Sequence, residues 1–80
     1  LLKQSLLAKD VNFISVDKLE GPMQVYAKTR YSQKEQPAEI VMEGDLVRVT
    51  FAEQQRAITP GQAVVFYDGD VVVGGGTIVG

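Results

Sequence analysis

These 80 residues predict an all-β fold, a small closed Greek-key-like barrel of about six antiparallel strands, and three observations carry that expectation. Valine and isoleucine together number 16 against six leucines and six alanines, a β-branched excess that suits strands better than helices. Turn signals recur about every 8 to 12 residues, the spacing of short strands in barrels and sandwiches. No segment carries an apolar stripe at helical period long enough to cover a sheet. A sheet without covering helices buries its apolar face by closing on itself. A two-sheet sandwich is the alternative.

The elements follow in order. Leu6-Leu7-Ala8 reads as a short strand, and Asp10 as the N-cap of one helical turn over Val11-Asn12-Phe13-Ile14. Gly21-Pro22 marks a turn. From Met23 to Gln33 a strand alternates, with Val25, Ala27, Thr29 and Tyr31 on one face and Tyr26, Lys28 and Arg30 on the other. After a polar connection over Lys34 to Pro37, Ala38–Met42 and Leu46–Phe51 form a hairpin about Glu43-Gly44-Asp45. In its second arm Val47, Val49 and Phe51 face inward and Arg48 outward. The polar run through Arg56 reads as a connection. Thr59-Pro60-Gly61 places proline and glycine where a type II turn wants them. Ala63 to Tyr67 and Val71 to Val73 then pair about Asp68-Gly69, the pattern of a type I′ hairpin. Gly74-Gly75-Gly76 interrupts the last strand before Thr77-Ile78-Val79, which suggests a bulge or sharp bend at a barrel corner. Residues 1–80 make one domain.

Composition excludes most enzyme chemistry. With no cysteine and no histidine, this chain has no thiolate zinc site, imidazole ligand, cysteine nucleophile or Ser-His-Asp triad. No apolar run approaches the length of a membrane helix. The net charge of −2 is the wrong sign for a surface that is basic all round, so any nucleic-acid contact must be local.

Several clusters invite a functional reading. The triple glycine lacks the lysine and helix of a phosphate loop, and strand geometry explains it more simply. Asp68 and Asp70 flank a turn, where solvated carboxylates ordinarily have no catalytic role. Lys28, Arg30 and Lys34 carry more weight. They follow one another without an intervening acid, with Tyr26 on the same strand face as the first two. Cations alternating along a strand stand roughly 7 Å apart, close to phosphate spacing, and a neighbouring aromatic can stack a base. The plainer reading is an outer face paired across strands with Glu39 or Glu43. Arg48 is a further outward cation. Arg56 contacts a partner or pairs with Glu53, and Gln62 bonds either backbone or substrate.

The stretch Lys28-Thr29-Arg30-Tyr31-Ser32-Gln33, the run from Phe51 to Asp70 containing Gln55-Arg56-Ala57-Ile58-Thr59-Pro60-Gly61-Gln62, and Gly74-Gly75-Gly76 resemble the C-terminal domain of bacterial tRNA-specific 2-thiouridylases. Asp10 to Ile14 and Pro37-Ala38 extend the resemblance over roughly residues 5 to 79. Departures are Ser32, where a second arginine is common, Gln54, where proline is common, and Phe13, where tryptophan is common.

The resemblance implies a fragment of a larger cytoplasmic enzyme that adenylates the wobble uridine of certain tRNAs and replaces its C2 oxygen with sulfur. ATP, magnesium and the catalytic cysteines would belong to an N-terminal domain, and sulfur would come from a relay protein. This domain would hold no cofactor or metal and no catalytic residue. It would resemble the barrels of aminomethyltransferases and translation factors and help to hold tRNA, with neither membrane nor DNA as partner. Lys28, Arg30, Lys34, Arg48 and Arg56 are then the expected phosphate contacts and Tyr26 a stacking group, while Tyr31, Gln33 and Gln62 are motif residues of unassigned role. The alternative is a structural barrel that docks on its catalytic domain through an exposed apolar patch and touches RNA little. A barrel from an aminomethyltransferase or a translation factor would share only the fold.

Overall fold

The structure is a computed structural model and describes residues 2–29, 34–56 and 58–80. Six strands form it: β1 Leu2–Phe13, β2 Met23–Thr29, β3 Gln36–Glu43, β4 Leu46–Arg56, β5 Ala63–Asp68 and β6 Val71–Ile78. They close into an antiparallel barrel in the order β1-β4-β3-β2-β5-β6. The β2-β3-β4 meander with β1 returning beside β4 is a Greek key, and closure leaves no edge to pair with another chain.

Alternation selects the core. Val25 and Ala27 of β2, Ala38 and Ile40 of β3, Val47, Val49 and Phe51 of β4, and Val64 and Phe66 of β5 are buried. Small residues lie opposite large ones: Ala27 pairs with Phe66, Ala38 with Phe51 and Ala8 with Ile78. A narrow barrel interior fills to density only by such alternation.

In this strand order β1 stands opposite β2, and β4 opposite β5. The connection after β1 therefore crosses one end of the barrel, where Val16 and Leu19 pack against the core, and the connection after β4 crosses the other end with Ile58. The first end also carries both tight hairpin turns, Gly44-Asp45 and Gly69-Asp70. We call it the hairpin end.

Four local expectations are corrected. The first strand is twelve residues long rather than a short Leu6–Ala8 segment, and the helical turn at Asp10 is absent. Asp10 has φ 53° at a register shift between Lys9 and Asn12, so β1 bulges there and continues. The second hairpin turns on Gly69-Asp70, because Asp68 still pairs with Val71. Only Gly69 has positive φ, which excludes a type I′ turn, since that needs both central residues there. Third, β4 runs on to Arg56, placing Glu53 to Arg56 in a strand. Gln4 Nε2 donates to the Phe51 carbonyl at 3.1 Å where the β1–β4 register breaks. Finally, the glycines do not interrupt β6; the extra residue is Val73, one position earlier. Of the strand expected over Met23–Gln33, the part to Thr29 is β2, and 30–33 lie outside the described residues. The Thr59-Pro60-Gly61 turn is as expected, with Gly61 at φ 91° and the Gln62 amide donating to the Thr59 carbonyl at 3.3 Å.

The glycines of β6 let its neighbours close in. A Cβ on Gly75 would stand 2.8 Å from the Val64 carbonyl oxygen, one on Gly76 2.7 Å from that of Lys9, and one on Gly74 would strike that of Asn12. Backbone atoms of a closed sheet cannot retreat cheaply. Gly75→Ala should lower the unfolding free energy by about 1–3 kcal/mol. In an 80-residue chain each kcal/mol lost lowers Tm by roughly 4–8 °C. At Gly21 a Cβ would meet nothing within 4 Å, and Gly21→Ala should change stability by less than about 0.5 kcal/mol. Thermal melts of both variants check this, and equal effects would contradict the account of closure.

Candidate nucleic-acid interface

Alternation on β2 sends Tyr26 and Lys28 outward, Tyr26 48% exposed and Lys28 half-buried. Topology then adds what sequence could not: β5 is the neighbour on the far side from β3. Tyr26 stands opposite Tyr67, and Lys28 opposite Val65, which is in turn opposite Gly75. Lys28, Thr29, Ala63, Val65 and Tyr67 line an open groove of about 360 Å³. Tyr67 and Val65 were missed by the sequence reading. Their alternation with buried Val64 and Phe66 marks them as outward, but only the strand order brings them beside Lys28.

The expected cations separate into groups. Lys34 lies just before β3, whose Gln36 pairs with Ala27, so it is at the same barrel end as Lys28. Arg56 ends β4 opposite Leu2, also at that end and exposed. Among the described residues neither Lys28, Lys34 nor Arg56 forms a salt bridge; the one found is Arg48–Glu43. Arg48 is opposite Val41, two strands from Lys28 and nearer the hairpin end. Arg30, Tyr31 and Gln33 lie outside the described residues. Gln62 is half-buried beside the type II turn; its backbone carbonyl accepts from the Ile78 amide at 2.8 Å, while its side-chain oxygen is buried without a partner among the described residues.

Carboxylates that might have neutralised Lys28 are engaged elsewhere. Glu39 accepts from Gln24 Nε2 at 3.2 Å. Glu43 receives two bonds from Arg48, at 2.8 Å from Nε and 2.9 Å from Nη2, and Arg48 Nη1 reaches Ser5 Oγ at 3.4 Å. Charge is therefore divided by position. Asp17, Glu20, Glu43, Asp45, Asp68 and Asp70 belong to the hairpin end, six of the ten acids, with Lys18 as a cation among them. Lys3, Lys28, Lys34 and Arg56 belong to the other, with Glu35 and Glu53. A net charge of −2 thus coexists with a basic end.

Among the described residues no group of three or more His, Cys, Asp or Glu side chains is placed to hold a metal ion. The glycine run does not fit a nucleotide phosphate, since the space a phosphate would need beside Gly75 and Gly76 is occupied by the carbonyls of Val64 and Lys9.

The Arg48 hydrogen bonds hold the Glu43 carboxyl below its ordinary value of 4.5, and the same pairing raises Arg48. A carboxylate depressed in the folded state contributes stability above its unfolded value, and that contribution disappears as pH falls through the folded one. Both groups are exposed, so salt should weaken the effect. An NMR titration should place the Glu43 midpoint below 4.5 and Arg48→Ala should move it upward; an unmoved midpoint would show that the pair does not persist in solution.

Comparison with known proteins gives the site its context. The family model of the aminomethyltransferase beta-barrel domain matches residues 3–78. The tRNA-specific 2-thiouridylase MnmA of Clostridioides difficile (strain 630) is 61% identical over 79 residues, 98% of this chain and 22% of that protein. The protein of the same name from Acetivibrio thermocellus is 63% identical over 76 residues, 94% of this chain and 21% of that protein. Another from Clostridium perfringens (strain 13 / Type A) is 58% identical over 79 residues, again 98% and 22%. The chain spans about a fifth of the length of the curated relatives it matches. A family match along nearly the whole barrel, together with this identity, shows that the chain belongs to the aminomethyltransferase β-barrel domain family, in the form found as the C-terminal barrel of MnmA tRNA 2-thiouridylases.

Proposed function

We propose that this barrel is the non-catalytic, tRNA-holding part of a cytoplasmic tRNA 2-thiouridylase, supporting ATP-dependent sulfur insertion at the wobble uridine. Adenylation with ATP and magnesium, and sulfur transfer from a relay protein, belong on this reading to an N-terminal catalytic region. The observation that carries the proposal is the division of charge: the end bearing Lys28, Lys34 and Arg56 is basic on a chain whose net charge is −2. Phosphates gather at such an end and are repelled by the other. Arg30, between Lys28 and Lys34 in sequence, adds a fifth candidate beside Arg48.

Arg48 is the weakest of these contacts, because a phosphate must compete with Glu43 for its guanidinium. Docking on the catalytic region is a second role, compatible with the first. Ile14, Val71 and Val72 are exposed at the hairpin end, and the Ile14 amide donates to the Val73 carbonyl at 2.7 Å, which brings the three together away from the basic end.

Binding of tRNA to this chain should weaken steeply with salt. Two to four neutralised phosphates give a slope of log affinity against log salt of about −2 to −4. Lys28→Ala should flatten the slope by about one, whereas Asp68→Ala should leave affinity within roughly twofold. A slope near zero, or a larger effect from Asp68→Ala than from Lys28→Ala, would refute the assignment.

A further inference from the structure

We infer that the groove between β2 and β5 takes a single unstacked nucleotide, its phosphate on Lys28 and its base against Val65 and Tyr67. The inference rests on the tRNA-holding reading and makes it narrower: the barrel would select an unpaired residue of the RNA rather than follow a duplex backbone.

The chemistry of the groove favours one nucleotide. A duplex needs a row of cations along its phosphates, but the outward positions of β5 are Ala63, Val65 and Tyr67, with no charge among them. Among the described residues Lys28 is the sole cation lining the groove, and it has no carboxylate partner there. Beyond Val65 lies Gly75 of β6, which adds no side chain of its own to that flank. At the far end Tyr26 and Tyr67 are directly opposed across the strands. Two residues along β2 separate Tyr26 from Lys28, roughly 7 Å, comparable to the reach from the phosphate of a nucleotide to its base. A volume of about 360 Å³ lies at the small end of ligand-sized clefts, the scale of one nucleotide. Proteins read unpaired RNA by stacking splayed bases on aromatic side chains, whereas paired bases offer no such face.

The test is an amide chemical-shift titration of this chain with a single-stranded hexaribonucleotide, the same strand in a blunt duplex, inorganic phosphate and whole tRNA. The single strand should shift Val65, Tyr67 and Gly75 together with Lys28, at least about tenfold more tightly than the duplex. Tyr67→Leu, which keeps bulk without the aromatic face, should weaken single-strand binding roughly tenfold while leaving the spectrum folded. Equal binding of single strand and duplex, or phosphate alone reproducing the shifts, would overturn the inference. Shifts with tRNA at the basic end but none at Val65, Tyr67 and Gly75 would overturn it while sparing the tRNA-holding reading. No shifts with tRNA anywhere would remove both.

Discussion

Six strands close into this barrel because β6 presents almost no side chain where β1 and β5 approach it. Carbonyl oxygens of Asn12, Val64 and Lys9 occupy the space that Cβ atoms at Gly74, Gly75 and Gly76 would take. The remaining architecture follows from that contact. Closure sets β5 beside β2 as well as β6, which fixes the neighbours of Tyr26 and Lys28. It also leaves β1 and β2 on opposite sides, so the chain must cross the barrel end between them and seal the core with Val16 and Leu19.

Charge is arranged on this frame by turn chemistry as much as by function. Both tight hairpins have an acid, a glycine and a second acid, Glu43-Gly44-Asp45 and Asp68-Gly69-Asp70, and antiparallel topology puts both at one end. Acidic side chains tolerate exposed turns well, so the hairpin end is acidic by construction. Lys3, Lys28, Lys34 and Arg56 fall at or beside strand ends on the opposite side, while Lys18 and Arg48 lie toward the acidic end. The total of −2 hides this because opposite ends cancel, and only the strand order reveals which charges are neighbours.

Where side chains alternate cleanly, sequence was a sufficient guide. Val25 and Ala27, Val47 and Val49, and Val64 and Phe66 are inward as their spacing demands, and the type II turn at Thr59-Pro60-Gly61 follows from proline and glycine chemistry. The length of β1 was not legible because its bulge at Asp10 breaks the alternation and much of its surface is polar. Asp68-Gly69-Asp70 admits two frames for a two-residue turn, and pairing of Asp68 with Val71 selects the second. Of the candidate site, the outward placement of Tyr26, Lys28 and Arg48 could be read from period two. The competition of Glu43 for Arg48 could be suspected from their diagonal positions in one hairpin. Tyr67 and Val65 could not be placed beside Lys28, since that depends on pairing across the closed barrel.

The most direct test of a barrel with one RNA-facing end is hydrogen–deuterium exchange of this chain with and without tRNA at low salt. Protection is expected in peptides covering 24–29 and 63–67, with the hairpin turns at 43–46 and 68–71 exchanging as they do without RNA. Protection centred on those two turns instead would contradict the division of roles between the two ends.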